Sequence, residues 1–331
     1  MRGSSLKYSS DSIRDTTIGI LGIIISVVCV AYLAIYFDFK KAFITISEVQ
    51  VWYVFGMVGI YLSTFAFRTW RWELMFEVKK TFSTYFKAII LGFAGNNLLP
   101  ARGGEFIRME YFKRIAGQDR LPVLASIMLE KVLDAIVLIS ILMVILFSIE
   151  SGINDTDFVT YILKSVVILF GTIIALILSI RFYGQKIICY FKNHQSFVLN
   201  KVGDLIRRTY RAIEFLDFDL KTLKVIILGF FIWVIEGGMY VLGISAFNLP
   251  VDPVTSGYLA LVFVNFGILI PSSPGYIGVF QAMVLLALTL LGIEEQKSLG
   301  PSILIHSCQF IPITILGLFF FFKKSVKASL K

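Results

Sequence analysis

The stretch GFAGNNLLPARGGEFIR, residues 92–108, interrupts an apolar region with two asparagines, a proline, a Gly-Gly pair, two arginines and a glutamate. The hydrocarbon core of a membrane tolerates irregular backbone and charge only where they are buried in protein or line a watery cavity. A later stretch, NFGILIPSSPGYIGVFQ at residues 265–281, has the same pattern: an asparagine, an apolar run, a proline, then small residues and glycine. The two stretches are therefore predicted to be facing halves of one site.

The composition is that of an integral membrane protein. Of the 331 residues 57% are hydrophobic and only 16% are charged, whereas a soluble domain carries about a quarter charged residues. The sequence contains no G-x-x-x-x-G-K-[ST], H-E-x-x-H or G-x-S-x-G motif, so the common nucleotide-binding, zinc-protease and serine-hydrolase signatures are missing. The three cysteines stand singly and the two histidines are far apart. We therefore expect no metal and no cofactor.

Six apolar segments are long enough to span a bilayer. They are residues 16–37, 51–67, 122–147, 159–180, 225–247 and 301–322. The second segment ends in Arg68, Trp70, Arg71 and Trp72, a composition typical of an anchor at the membrane interface. Residues 181–224 are basic and partly amphipathic, which predicts a cytoplasmic linker on the membrane surface.

Two further regions, 82–116 and 255–291, each contain a pair of helices too short to cross a core of about 30 Å. The second helix of the first pair carries five charged residues and cannot face lipid all round. We predict that each region is a re-entrant helical hairpin. The predicted fold is thus an all-α polytopic membrane protein, a single transmembrane domain over 1–331 with six spanning helices and two hairpins. The order span, span, hairpin, span occurs twice, in 16–147 and in 159–322. Because three crossings is an odd number, the two halves are predicted to be inverted repeats.

Lysines and arginines are distributed unequally between the two sides of this topology. The termini and loops assigned to the cytoplasm, 1–15, 68–87, 101–121, 181–224 and 323–331, hold 26 of the 31 basic residues. The loops assigned to the opposite side, 38–50, 148–158, 248–254 and 292–300, hold three. Positive charge accumulates on the cytoplasmic side of membrane proteins. We therefore expect a multi-pass protein of the cell (cytoplasmic) membrane with both termini in the cytoplasm.

The first break frees backbone N–H groups and places the amino end of the following helix beside it, where an anionic group is favoured. Arg102 and Arg108 have the planar fork that binds phosphate. The alternatives are an ordinary surface turn, and arginines that only reflect the cytoplasmic charge bias. The second break, around Ser272 and Ser273, is either a tight turn alone or a turn that also contacts a ligand.

Three carboxylates lie within predicted spans. Glu130 and Asp134 are four residues apart and share one helix face, and Glu236 precedes two glycines that allow a neighbouring backbone to approach. Buried carboxylates are costly, so they are paired or functional. The structural alternatives are an ion pair with Arg102, Arg108 or Lys131, and for Glu236 an interhelical hydrogen bond.

The motifs NNLLPARGGEFIR at 96–108, LEKVLD at 129–134 and PSSPGYIG at 271–278 resemble the flippase-like family. This family covers the transmembrane region of lysylphosphatidylglycerol synthases (the multiple peptide resistance factor proteins) and stand-alone bacterial and archaeal relatives. The resemblance implies a membrane domain that moves polar lipids between leaflets. Carried over by motif, the family's characteristic positions are Asn97, Pro100, Arg102, Gly104, Arg108, Glu130, Asp134, Pro271, Pro274 and Gly275. The family's acid–arginine pair in the middle motif is Glu130-Lys131 here.

Together these arguments predict a set of substrate-binding residues and no catalytic residue. The set is Asn97, Pro100, Arg102, Gly104, Glu105, Arg108, Glu130, Asp134, Glu236, Pro271, Ser272, Ser273, Pro274 and Gly275.

The leading hypothesis is a flippase or scramblase for an aminoacyl phospholipid, a glycolipid or a polyprenyl-phosphate sugar, working downhill or coupled to protons. The first alternative is a non-catalytic accessory subunit of a lipid or cell-envelope glycosyltransferase or synthase. The second is an intramembrane lipid-modifying enzyme that uses Glu130 and Asp134 as acid and base. We expect a membrane lipid as the substrate and no nucleic-acid partner. Both a homo-oligomer and a partner synthase or glycosyltransferase stay open.

Overall fold

The computed structural model describes residues 38–76, 80–99, 102–149, 220–269 and 272–329, with scattered residues between 24 and 36 and between 168 and 189. The described residues are almost entirely helical and include no strand. The predicted spans 16–37 and 159–180 and most of the linker 181–224 fall largely outside them. The protein is thus an all-helical membrane protein over the part that the structure describes.

The helices follow one another with short connections, except between α5 and α6, which are separated by residues 150–219. They are α1 Phe39–Ser47, α2 Val51–Leu74, α3 Phe82–Leu98, α4 Gly104–Ala116, α5 Arg120–Ile149, α6 Leu220–Ser245, α7 Pro253–Gly267, α8 Val279–Thr289 and α9 Glu295–Ser329. A 3₁₀ turn, Pro274–Tyr276, lies between α7 and α8.

Helix length separates two classes of helix. The helices α2, α6 and α9 are long and apolar enough to cross a membrane, and α5 has 30 residues. By contrast α3, α4, α7 and α8 have 17, 13, 15 and 11 residues. At 1.5 Å per residue each is shorter than the roughly 30 Å core of a bilayer. From α2 to α9 the helices run long, short, short, long, and then long, short, short, long again. Six spans, re-entrant insertion and inverted repeats stay predictions.

The sequence-based prediction was wrong for residues 38–50, which were assigned to a loop. The segment contains α1, whose first turn is capped by Asp38: its carboxylate accepts a hydrogen bond from the Lys41 amide at 3.0 Å. Gln296, at the start of α9, hydrogen-bonds the backbone of Asp38 twice, at 3.1 Å each. A contact with a residue 258 positions away leaves no signal in a local pattern.

The sequence-based prediction was also wrong for the end of α2, which continues past residue 67 to Leu74. Trp70 is exposed, but Arg68, Arg71 and Trp72 are buried rather than placed at a membrane interface. Trp72 packs against Phe112 of α4, with ring centroids 4.7 Å apart. The arginines have acidic partners on other helices, and those partners make burial of the charges tolerable.

Glycines bring α3 and α4 unusually close together. A methyl group at Gly104 would collide with the Gly92 carbonyl and with Asn96, and one at Gly95 would lie 2.6 Å from the Gly104 Cα. The residues that occupy these positions in the helical pair must therefore lack a side chain. This close approach holds the break between the two helices in place.

We expect Gly104→Ala to destabilise the protein by about 1–3 kcal/mol or more, because the added methyl group meets backbone rather than a movable side chain. Gly59→Ala in α2 is the matched control, since nothing lies within 4 Å of the added atom. Thermal unfolding in detergent checks both variants. Equal melting temperatures for the two variants would contradict the close packing of α3 on α4.

Candidate functional site

The two helix breaks lie against each other. The first separates α3 from α4, and the second separates α7 from α8. Arg102, in the first break, donates a hydrogen bond to the Ile268 carbonyl at the end of α7 at 3.1 Å. A methyl group added to Gly275, in the second break, would lie 3.4 Å from the Asn97 carbonyl. The structure thus brings both stretches that the sequence singled out into direct contact.

Each break holds a residue other than glycine in the left-handed region of backbone conformation. Arg102 has φ of 56° and Tyr276 has φ of 58°, and the two side chains hydrogen-bond each other. This conformation costs an L-residue about 1–2 kcal/mol. Arg102 adopts it although two glycines, which would adopt it without strain, follow directly in the sequence. Backbone strain of this kind is concentrated at functional sites.

A cavity of about 230 Å³ lies between the breaks. Of the predicted site residues, Asn97, Arg102, Glu105, Arg108, Glu130, Asp134 and Glu236 line it. Asn265 and Tyr276 line it from the second break, so both halves of the chain contribute. Leu269, another lining residue, is 57% exposed. The cavity therefore reaches the protein surface.

Arg71 is the centre of a buried ion network beside this cavity. Its guanidinium, fully buried, donates hydrogen bonds to Asp134 at 2.6 and 3.2 Å and to Glu130 at 2.9 Å. The two carboxylates are one helical turn apart on α5, so one guanidinium reaches both. Such a two-pronged arrangement is the strong form of an arginine–carboxylate contact.

Arg68, one turn before Arg71 on α2, connects this network to α6. It donates a hydrogen bond to Glu236 at 2.6 Å, and its other nitrogen lies 4.0 Å from Asp134. Glu236 also accepts a hydrogen bond from Gln309 of α9 at 3.4 Å, and Asp134 accepts one from the Trp233 indole at 2.8 Å. These contacts tie α2, α5, α6 and α9 together.

Arg108 of α4 also belongs to the network and lines the cavity. Its Nη2 lies 2.8 Å from Glu130 Oε2, and its guanidinium stacks over the Trp72 ring at 3.8 Å. Arg108 is only 5% exposed, yet its Nε has no hydrogen-bond partner among the described residues. This is a buried donor without a partner in the described part of the protein.

A second ion pair lies at the edge of the cavity. Lys131 Nζ is 2.6 Å from Glu105 Oε1, and the two side chains are 38% and 19% exposed. Glu105 lies in the first turn of α4, where a negative charge is favoured by the helix dipole. Arg102, by contrast, contacts the neutral Ile268 carbonyl and Tyr276 hydroxyl.

The second break is fixed by a chain of hydrogen bonds from α9. The Gly278 amide donates to Gln281 Oε1 at 2.8 Å, and Gln281 Nε2 lies 2.9 Å from His306 Nδ1. Because the amide nitrogen only donates, Nδ1 must accept. His306 Nε2 then carries the proton and donates to the Gly275 carbonyl at 2.8 Å. This arrangement assigns the neutral Nε2–H tautomer to His306.

The remaining predicted site residues do not line the cavity or lie outside the described residues. Gly104 is packed against α3, and Ser272, Ser273, Pro274 and Gly275 form the second break without lining the cavity. Pro100 and Pro271 lie outside the described residues. The structural alternative for the carboxylates, an ion pair with Arg108, applies to Glu130, whereas Lys131 pairs with Glu105 instead.

Sequence reasoning missed Arg68 and Arg71. Both follow directly after an apolar run, the position of an interface anchor, and this is why their role was misjudged. A charge balance could have indicated their role, because three carboxylates within predicted spans require positively charged partners. The i, i+3 spacing of Arg68 and Arg71 places two of these cations on one face of α2.

A comparison with known families covers most of the chain. The family model described as "Lysylphosphatidylglycerol synthase TM region" matches residues 19–317. No curated protein matches the chain. The match extends over both helix breaks and every residue of the ion network. The chain therefore belongs to the lysylphosphatidylglycerol synthase TM region family.

Proposed function

We propose that this protein is a flippase or scramblase that moves a polar-headed membrane lipid between leaflets. One observation carries the proposal: a charged cavity that reaches the surface lies between two helix breaks in an otherwise apolar helical protein. Charged groups at membrane depth that line a cavity typically mark the path of a polar substrate. Membership in a family of membrane domains of lipid-related proteins agrees with this role.

In this mechanism the headgroup enters the cavity while the acyl chains stay in the bilayer. Arg102 and Arg108 would bind the phosphate, and the amino end of α4 would add its positive dipole. Two sets of short helices meeting at a substrate site are typical of transporters built from inverted repeats, and the repeated order of long and short helices supports that architecture.

We further propose that transfer is downhill. The sequence has no nucleotide-binding motif, and Glu130, Asp134 and Glu236 each have an arginine partner. A carboxylate that is held in an ion pair is a poor carrier for a proton, because releasing the arginine would leave a buried charge unpaired.

Reconstitution tests the function and its alternatives together. Purified protein in vesicles should speed the movement of fluorescent phospholipids between leaflets without changing them chemically. Formation of a modified lipid would instead identify an intramembrane enzyme. An accessory subunit would be identified if the lipids neither move between leaflets nor react until a synthase or glycosyltransferase is added.

Both termini are proposed to lie in the cytoplasm of a cell-membrane protein. Three basic residues counted on that side, Arg68, Arg71 and Arg108, are buried in the ion network, but the excess over the opposite loops stays large. Cysteines introduced within 150–157, in a background without native cysteines, should react with an impermeant thiol reagent on intact cells. Cysteines within 192–200 should react only after lysis. The reverse pattern would contradict the inverted-repeat topology.

A further inference from the structure

The charges of the cavity and of the ion network beside it do not cancel. Among the described residues the lining carboxylates are Glu105, Glu130, Asp134 and Glu236. Each already has a basic partner within 3 Å. No lining carboxylate in the described part of the chain is therefore left for a cationic ligand.

One positive charge remains after these pairs are formed. In the part of the chain that the structure describes, the basic residues of the cavity and its network are Arg68, Arg71, Arg102, Arg108 and Lys131. Against four carboxylates they leave a single excess cation. Arg102 is that cation, because its contacts are the neutral Ile268 carbonyl and Tyr276 hydroxyl.

An unsatisfied donor belongs to a second arginine of the same cavity. Arg108 is only 5% exposed, and its Nε has no hydrogen-bond partner among the described residues. A buried donor of this kind is costly unless a ligand or water accepts a hydrogen bond from it. A phosphodiester oxygen meets both requirements, because it brings one negative charge and accepts several hydrogen bonds.

We infer that the cavity selects a small lipid headgroup with a net charge of −1, a phosphodiester without a compensating amine, and transfers cationic headgroups poorly. This inference rests on the proposed function. A cationic headgroup would have to displace an arginine or lysine from its carboxylate, which leaves a charge unpaired in a partly buried site. A volume of about 230 Å³ is below the roughly 300–1,000 Å³ of pockets for drug-sized ligands. The site therefore suits a headgroup such as phosphoglycerol rather than an oligosaccharide.

A series of headgroups tests this selectivity. The full chain is reconstituted in phosphatidylcholine vesicles, with the membrane potential clamped by potassium and valinomycin. Each vesicle batch carries a trace of one acyl-labelled probe: phosphatidylglycerol with charge −1, zwitterionic phosphatidylcholine, or cationic ethylphosphatidylcholine. Leaflet transfer is measured by quenching the outer-leaflet probe. We expect phosphatidylglycerol to move about tenfold faster or more than the cationic probe, the factor that about 1.4 kcal/mol produces.

Two variants locate the selectivity. Arg102→Gln should remove most of the preference, and Arg102→Glu should shift it toward the cationic probe. Arg114→Gln is the control, because Arg114 is exposed and pairs with Glu110 on the surface, and it should keep the full preference. Equal rates for all probes, or a faster cationic probe with the native chain, would overturn the inference while leaving lipid transfer established. If no probe moves at all, the proposed function itself fails and the inference with it.

Discussion

Replacing Arg71 with leucine is expected to destabilise the protein by about 3–5 kcal/mol, the cost of removing one partner from a buried ion pair. The substitution deletes three hydrogen bonds to Glu130 and Asp134. Glu130 keeps Arg108, but Asp134 is left with the Trp233 indole and a distant Arg68. The desolvated carboxylate then lacks its main counter-charge. Thermal unfolding followed by size-exclusion chromatography in detergent measures the effect.

The control for this variant is an arginine whose partner is on the surface. Arg114 lies 2.9 Å from Glu110 with its side chain 69% exposed. Exposed ion pairs contribute about 0–1 kcal/mol, so Arg114→Leu should have little effect on unfolding. Arg71→Lys should fall in between, because lysine keeps the charge but cannot make the fork. Arg71→Leu with native stability would show that the ion network does not hold the helices together.

Replacing Arg102 with glycine is expected to slow lipid transfer by about ten- to a hundredfold while leaving stability nearly unchanged. The functional loss corresponds to one charge-assisted hydrogen bond of about 1.5–3 kcal/mol. Stability changes little, because glycine relieves the strain of φ at 56° while the hydrogen bonds to the Ile268 carbonyl and the Tyr276 hydroxyl are lost. The relieved strain is about 1–2 kcal/mol, the two lost hydrogen bonds are about 1 kcal/mol each, and the two effects are opposite in sign. Transfer rates and melting temperatures of the same preparation measure both.

Asn248→Gly is the matched control. Asn248 also has a positive φ, 48°, but it lies in the turn after α6 and does not line the cavity. Its replacement should leave lipid transfer unchanged. Arg102→Lys should recover part of the rate, since it keeps the charge without the planar fork. If Arg102→Gly transfers lipid at the native rate, Arg102 does not bind the headgroup and contributes only to membrane topology.

Much of this architecture follows from local sequence. The hairpin 82–116 matches α3 and α4 closely, because Asn96, Asn97 and the Gly-Gly pair interrupt an apolar helix in a way that few other structures permit. The short helices on either side of residues 271–275 follow from the same kind of pattern, an apolar run interrupted by proline, small residues and glycine. A helix break is a local event, so its signal is contained in a window of about ten residues.

The ion network could not be predicted in the same way. The partners of Glu130, Asp134 and Glu236 on α2 are 59 to 168 residues away. Arg68 and Arg71 could equally be interface residues by composition alone, and only the fold places them opposite the carboxylates. Helix α1 was not predicted for a related reason. Its amino end is held by Gln296, which is 258 residues away in the sequence.

Photo-crosslinking of the lipid itself tests most directly whether the headgroup enters the cavity between the two breaks. One phosphatidylglycerol probe carries a diazirine in its headgroup, and a second carries it at the end of an acyl chain. After irradiation of reconstituted protein, mass spectrometry maps the adducts. The headgroup probe should label peptides that contain 93–108 and 265–280, and Arg108→Gln should weaken this labelling. The acyl probe should label exposed outer faces such as Phe231 and Phe319. Headgroup adducts confined to those outer faces would contradict a headgroup path through the cavity.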